Sequence, residues 1–90
     1  MYSNKLYKII DVWKKIEKNS AVRFRCFEII GKNQFCVQNA DFFHYPVDMN
    51  AIKSLDQQVI ELFIEEFPDK RNKTYSSLEE AVTAHEKEFF

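Results

Sequence analysis

The side chains that could perform chemistry are few and stand singly along the chain. They are two cysteines, Cys26 and Cys36, and two histidines, His44 and His85. A zinc site needs ligands in closely spaced pairs, and a nucleophilic cysteine or serine needs a base beside it. Neither pattern occurs, and the single glycine, Gly31, excludes a glycine-rich phosphate loop. We therefore expect no metal, no cofactor and no enzymatic activity.

Two carboxylates suggest one further catalytic hypothesis. Glu61 and Glu65 are four residues apart, a spacing that places both on the same face of a helix. Paired carboxylates serve in acid–base chemistry or bind metals, but neither histidine stands at ligand spacing from them. We interpret both as solvated side chains rather than as a catalytic pair.

The composition indicates one globular domain that spans residues 1–90. Hydrophobic residues make up 46% of the chain and aromatic residues 16%, which is enough for a single core. No apolar run is long enough to span a membrane, the N-terminus lacks the apolar centre of a signal peptide, and we expect no membrane partner. Two cysteines are too few for a disulfide framework, so we expect two buried thiols in a cytoplasmic protein.

The segment 21–43 predicts a β-hairpin around which the rest of the chain is organised. Apolar and aromatic residues alternate with others on both sides of a turn that holds the only glycine. With a loop of three residues starting at that glycine, Phe27 would face Val37 and Arg23 would face Asp41 as an ion pair. Because two strands alone are marginal in water, the hairpin must gain another strand or pack beneath helices.

Helical periodicity predicts an N-terminal helix and a longer central one. In residues 3–18 apolar side chains recur at intervals of three and four around Trp13, which we expect in the core, and Ser3 is the expected N-cap. Over residues 50–67 a wider apolar stripe predicts a helix that touches both the sheet and another helix. Ser54 is expected to cap this helix after a short lead-in turn.

The C-terminal part of the chain predicts a short strand and a third helix. Residues 73–75, after a charged loop, would add a third strand to the hairpin, and Ser77 with Glu80 forms a capping box that begins the last helix. The predicted order is therefore helix, strand, strand, helix, short strand, helix. This is an α+β domain in which three helices pack on a small antiparallel sheet.

Charge and aromatic residues are unevenly distributed along the chain. Residues 1–40 hold eight basic and three acidic side chains, a net charge of +5, whereas residues 41–90 hold five basic and eleven acidic ones, a net charge of −6. Such a dipole can steer a charged partner. Between the two halves, residues 41–46 place consecutive aromatic rings in an expected connector loop, where they either cover the core or anchor a partner.

The function that these features favour is protein binding without catalysis. A small inhibitor of the immunity type could block the basic cleft of a nuclease-like bacterial toxin with an acidic and aromatic surface that mimics nucleic acid. The residues expected to contact such a partner are Asp41, Phe42, Phe43, Tyr45, Glu61, Glu65 and Glu66.

Two alternatives stay open. A nucleic-acid-binding domain would use the basic N-terminal half, with Phe27 stacked on bases. Its phosphate contacts would come from Lys8, Lys15, Lys18, Arg23 and Arg25. A self-associating structural protein would instead pair the exposed edge of its small sheet with a second copy across a two-fold axis, giving a homodimer.

Overall fold

The computed structural model describes residues 4–90, which form one three-stranded antiparallel sheet and three helices. The elements are β1 (Tyr7–Glu17), β2 (Ser20–Ile29), β3 (Gln34–His44), α1 (Met49–Glu65), α2 (Pro68–Arg71) and α3 (Leu78–Phe89). Consecutive strands are neighbours, so the strand order in the sheet is β1-β2-β3. The chain is α+β, as predicted, but it begins with a strand where we expected a helix. Within residues 4–90, no helix is both long and apolar enough to cross a membrane.

The sheet lies between helices and has an apolar core on each face. On one face Cys26 packs in a cluster with Ala81 of α3. On the other face Phe27 and Cys36 pack against Val59 of α1. The central strand β2 is therefore buried along nearly its whole length. This layering explains why its sequence has large apolar residues on both faces.

The first strand replaces the expected N-terminal helix. β1 pairs with β2 over nearly its whole length, starting with Tyr7 opposite Ile29. Its β-branched and aromatic residues favour an extended chain, and pairing with β2 outweighs the helical spacing of its apolar residues. Trp13, which we expected in the core, is 57% exposed. Ser3, the expected N-cap, lies outside the described residues.

The turn between β2 and β3 contains four residues, 30–33, rather than the expected three. Gly31 and Asn33 have φ angles of 87° and 51°. Glycine and asparagine tolerate this left-handed conformation best, so the turn explains the only glycine in the chain. The longer turn shifts the pairing of the adjoining strands, and Phe27 faces Cys36, one residue short of its predicted partner.

A β-bulge in β3 restores the predicted register farther from the turn. Val37 and Asn39 both face residues of β2, whereas Gln38 between them faces none. This unpaired residue moves the register by one position. Arg23 consequently faces Asp41, as predicted.

The aromatic segment 41–46 belongs mostly to the sheet and not to a connector loop. β3 continues through His44, which faces Ser20 of β2, and the two side chains are hydrogen-bonded at 2.7 Å between Oγ and Nδ1. The connector to α1 begins only at Tyr45, which is joined to Pro46 by a cis peptide bond. Pairing with β2 thus fixes the backbone of most of this segment.

α1 begins earlier than predicted and leaves part of its apolar surface open. Asp48 is the N-cap and accepts a hydrogen bond from the backbone N–H of Asn50 at 2.9 Å. The expected cap, Ser54, therefore lies inside the helix. Asp48 is the better cap of the two, because the negative charge of its side chain also interacts favourably with the helix dipole. Ile60 and Ile64 are exposed, although the wide apolar stripe had predicted contact with another helix.

The expected third short strand is reduced to a single bridge, because β1 provides the third strand. Tyr75 exchanges two backbone hydrogen bonds with Phe35 of β3, at 2.8 and 2.9 Å. α2 occupies part of the segment predicted to be a charged loop. Ser77 caps α3 as predicted, since its Oγ accepts a hydrogen bond from the backbone N–H of Glu80 at 3.1 Å.

Both cysteines are free and buried, as predicted. Cys26 belongs to the core beneath α3 and Cys36 to the core beneath α1, so the sheet separates them. Burial raises the pKa of the Cys26 thiol to about 12 and that of the Cys36 thiol to about 11. A protonated, buried thiol is a poor nucleophile.

Candidate partner-binding groove

Two buried arginines form the support of the candidate site. Arg23 and Arg25 are 6% and 5% exposed and lie between the sheet and α1. Arg23 Nη2 is 3.0 Å from Asp41 Oδ2 and 3.4 Å from Asp56 Oδ1. Arg25 Nη2 is 2.6 Å from the same Asp56 oxygen, and Arg25 Nε is 2.9 Å from Asp11 Oδ1. Because Asp56 belongs to α1, this ion-pair cluster fastens the helix to the sheet.

The charge state of Asp56 follows from these contacts. The hydrogen bond from Arg25 holds the pKa of the Asp56 carboxyl below its usual range. The positive charges of Arg25 and Arg23 act in the same direction, and partial burial opposes them only in part. Asp56 is therefore ionised at neutral pH, and the cluster keeps its pairing.

The Arg23 guanidinium also lies close to two aromatic rings. Its Cζ atom is 5.1 Å from the ring centroid of Phe43 and 5.7 Å from that of Trp13. The two ring centroids are 5.8 Å apart. A cation at this distance from an aromatic ring attracts its negative π face. Trp13 is thus held in place although more than half of it is exposed.

These rings form one side of an open groove of about 650 Å³, which we call the aromatic groove. It lies where the end of β1, the start of β2, the end of β3 and the start of α1 meet. Its apolar lining consists of Trp13, Ala21, Phe43, Tyr45, Val47 and Ile52. Its basic lining consists of Lys14, Lys15, Lys18 and Arg23.

The aromatic groove exposes an aromatic surface that can bind an apolar group. Tyr45 is 79% exposed and stands with Trp13 as a large aromatic surface, the residue type that dominates binding energy in protein interfaces. Arg23 Nε is buried and has no hydrogen-bond partner in the described part of the chain. Residues 4–90 contain no cluster of three or more histidine, cysteine, aspartate or glutamate side chains that could hold a metal.

The predicted aromatic contact residues and Asp41 fall into three different places. Phe43 and Tyr45 line the aromatic groove. Phe42 points to the opposite face of the sheet, where its ring centroid is 5.4 Å from that of Phe90. Asp41 is buried in the ion-pair cluster and supports the groove from below.

The predicted acidic contact residues lie at the far end of α1. Glu61, Glu65 and Glu66 are all exposed, and the last two lie 3.7 and 3.8 Å from Arg71 Nη2. Because an α-helix rises about 1.5 Å per residue, Glu65 is about 20 Å along the helix from Ile52 in the groove. The structure does not bring the acidic residues and the aromatic groove together into one patch.

The residues predicted to contact phosphates are also divided. Lys15 and Lys18 line the aromatic groove, while Lys8 is exposed near the other end of β1. Both predicted arginines are buried in the ion-pair cluster. Phe27, expected to stack on bases, is only 2% exposed.

Sequence reasoning missed two residues that build this site. Trp13 was predicted to lie in the buried stripe of a helix. In the structure it belongs to strand β1 and faces Arg23 of β2, a contact that a strand prediction for this segment could have suggested. Asp56 joins both arginines from a distant helix. No local sequence signal could have shown that contact, because it depends on how α1 crosses the sheet.

The chain matches no protein-family model, no curated protein and no solved structure.

Proposed function

We propose that this protein is a small, non-catalytic protein-binding module and that a partner protein inserts an apolar side chain into the aromatic groove. The observation that carries the proposal is the exposure of Trp13 and Tyr45 in a groove where the Arg23 guanidinium lies against the rings of Trp13 and Phe43. Aromatic side chains that are already ordered lose little conformational entropy on binding, so more of the contact energy appears as affinity.

The narrower form of the proposal is an inhibitor of the immunity type that neutralises a basic, nuclease-like toxin. Its support is the exposure of Glu61, Glu65 and Glu66. One partner could reach both regions, because a standard interface covers about 800 Å² on each side and is therefore wider than the roughly 20 Å between them. In this arrangement the groove supplies the anchor and the carboxylates of α1 supply charge complementarity.

Capture of a partner from the native lysate tests the groove. The tagged protein is expressed together with the products of neighbouring genes, and the lysate is treated with nuclease. Under these conditions the tagged protein should retain a stoichiometric protein partner. Trp13→Ala with Tyr45→Ala should lose that partner, whereas Phe89→Ala, which truncates an equally exposed aromatic residue of α3, should keep it. Equal capture by the groove variant and the control would contradict the proposal.

Charge reversal on α1 tests the acidic contribution separately. Glu61→Lys with Glu65→Lys should abolish capture of a basic partner while leaving the circular dichroism spectrum unchanged. Glu79→Lys with Glu88→Lys makes the same change of net charge on exposed residues of α3 and should have little effect. Full capture by the α1 variant would remove the acidic surface from the proposal but leave the groove in it.

Nucleic-acid binding is the second candidate, and the position of two lysines favours it. Lys15 and Lys18 line the groove beside the exposed Trp13, and basic residues beside aromatic rings are typical of single-strand binding sites. Trp13 is the only tryptophan, so its fluorescence reports on the groove. Salt-sensitive quenching by single-stranded DNA, lost in Lys15→Gln with Lys18→Gln, would favour this candidate over protein binding.

A further inference from the structure

Free positive charge in the aromatic groove is concentrated on two lysines. Of the four basic residues that line the groove, Lys14 is paired with Glu86 of α3 at 2.7 Å, and Arg23 belongs to the ion-pair cluster. Lys15 and Lys18 are exposed, and within residues 4–90 neither forms an ion pair. Among these residues no acidic side chain lines the groove. The positive charge of the two lysines is therefore available to a partner.

One of these lysines follows the exposed tryptophan on the same side of the sheet. Side chains two residues apart on a strand point to the same side and are about 7 Å apart along it, which places Lys15 beside Trp13. Lys18 lies in the turn between β1 and β2 and lines the same groove. The groove thus combines an aromatic surface with positive charge next to it.

The size of the groove indicates how much of a partner it can hold. Cavities of about 300–1,000 Å³ hold drug-sized ligands, and the groove measures about 650 Å³. It therefore has room for a short peptide segment and not only for one side chain. Six apolar residues line it, so most of the contact is with apolar groups, and the two lysines add a small number of charged contacts.

We propose that the segment of the partner that occupies the aromatic groove is an acidic peptide, in which one apolar side chain is flanked by aspartate or glutamate. This inference rests on the proposed function and adds the chemistry of the partner to it. The apolar side chain packs on Trp13 and Tyr45. Carboxylates one or two residues away reach Lys15 and Lys18, because such residues of an extended peptide are about 3.5–7 Å from the anchor. The rest of the partner is free to be basic where it meets the acidic end of α1, about 20 Å away.

The amount of free positive charge favours an acidic peptide over a nucleic acid. The strong, salt-dependent affinity of nucleic-acid-binding proteins comes from numerous phosphate contacts, for example about 6–10 of them. The groove has two unpaired lysines, and the net charge of the whole chain is −1. A few carboxylates match this amount of charge, whereas a strand with a phosphate at every nucleotide brings more negative charge than the groove can neutralise.

Selection from a random peptide library tests the chemistry of the segment. Dodecapeptides displayed on phage and selected on the immobilised protein at low salt should be enriched in an apolar residue with aspartate or glutamate one or two positions away. Selection on Lys15→Gln with Lys18→Gln should keep the apolar residue and lose the enrichment in acidic ones. Lys8→Gln with Lys32→Gln removes the same charge from exposed lysines outside the groove and should select the same peptides as the unsubstituted protein.

The fluorescence of Trp13, the only tryptophan, measures the contribution of charge with one selected peptide. At low salt its affinity should fall about fivefold in Lys15→Gln with Lys18→Gln, the size expected for the loss of two exposed ion pairs. High salt should weaken binding to the unsubstituted protein by a similar factor, because it screens the same charges. Lys8→Gln with Lys32→Gln should leave the affinity unchanged. Equal affinities for the two double variants would contradict the proposal.

The outcomes distinguish this inference from the function on which it rests. Apolar peptides without acidic residues, whose binding is lost in Trp13→Ala with Tyr45→Ala, would overturn the acidic chemistry and leave the groove as a protein-binding site. Peptides that bind this groove variant as well as the unsubstituted protein, or a library without any enriched peptide, would contradict the proposed function too. Displacement of the peptide by a lower concentration of a single-stranded oligothymidylate of equal charge would overturn the proposal and assign the groove to nucleic acid.

Discussion

Removing one charge from the buried ion-pair cluster should destabilise the fold strongly. Asp41 and Arg23 side chains are each 7% exposed, and the Asp41 carboxylate also accepts a hydrogen bond from Asn39 at 2.9 Å. Breaking a buried ion pair by removing one partner typically costs about 3–5 kcal/mol. In Asp41→Asn the Arg23 guanidinium keeps Asp56 as a second partner at 3.4 Å. We therefore expect the lower end, a loss of about 3 kcal/mol in the free energy of unfolding.

Chemical and thermal unfolding, followed by circular dichroism at neutral pH, measure this loss. For a domain of this size about 3 kcal/mol corresponds to a fall in Tm of about 12–24 °C. Asp48→Asn is the matched control, because it makes the same change at an exposed N-cap, where asparagine caps a helix as well as aspartate does. The free energy of unfolding of this control should change by no more than about 0.5 kcal/mol. A loss below about 1 kcal/mol for Asp41→Asn would show that the cluster is not the support that we infer.

Three further predictions concern acid stability, thiol reactivity and helix capping. The pKa of Asp56 is lower in the folded than in the unfolded chain, so its contribution to stability is present above about pH 4 and is lost as the pH falls further. The free energy of unfolding should therefore fall less steeply with decreasing pH in Asp56→Asn than in the unsubstituted protein. An equal slope in the two proteins would contradict this prediction. With thiol pKa values raised to about 11 and 12, Cys36 and Cys26 should resist alkylation at pH 8 in the native protein and react in urea, as mass spectrometry will show. Ser77→Ala should cost about 1 kcal/mol, and Ser76→Ala clearly less, because only Ser77 caps α3; equal losses in urea unfolding would argue against the cap.

Features that depend on neighbouring residues could be predicted from the sequence. Ser77 was recognised as a helix cap because the capping signal lies within four residues. The pair of Arg23 and Asp41 was found because a hairpin brings nearby segments together. The α+β class followed from the alternation of the two periodicities.

Features that depend on distant segments could not be predicted. Apolar residues of segment 7–17 have helical spacing, and adjacent pairs such as Ile9-Ile10 and Val12-Trp13 break strict alternation, so only the pairing with β2 shows that the segment is a strand. The same error hid Trp13 from the candidate site, although Phe43 and Tyr45 were identified. Asp56 was missed because its partners lie on a strand more than thirty residues earlier in the chain.

The unpaired Gln38 has a consequence for how the pattern of β3 is interpreted. In the part of β3 before Gln38, Phe35 and Val37 face α3. In the part after it, Ala40 faces α3 and Asp41 faces α1. The strand thus contains two stretches of opposite phase, and a single alternation applied to all of it assigns one stretch to the wrong side. Deleting Gln38 would remove this phase change without altering which residues face each other across β2 and β3. The deletion would, however, sever the hydrogen bond through which Asn72 attaches the end of α2 to the sheet.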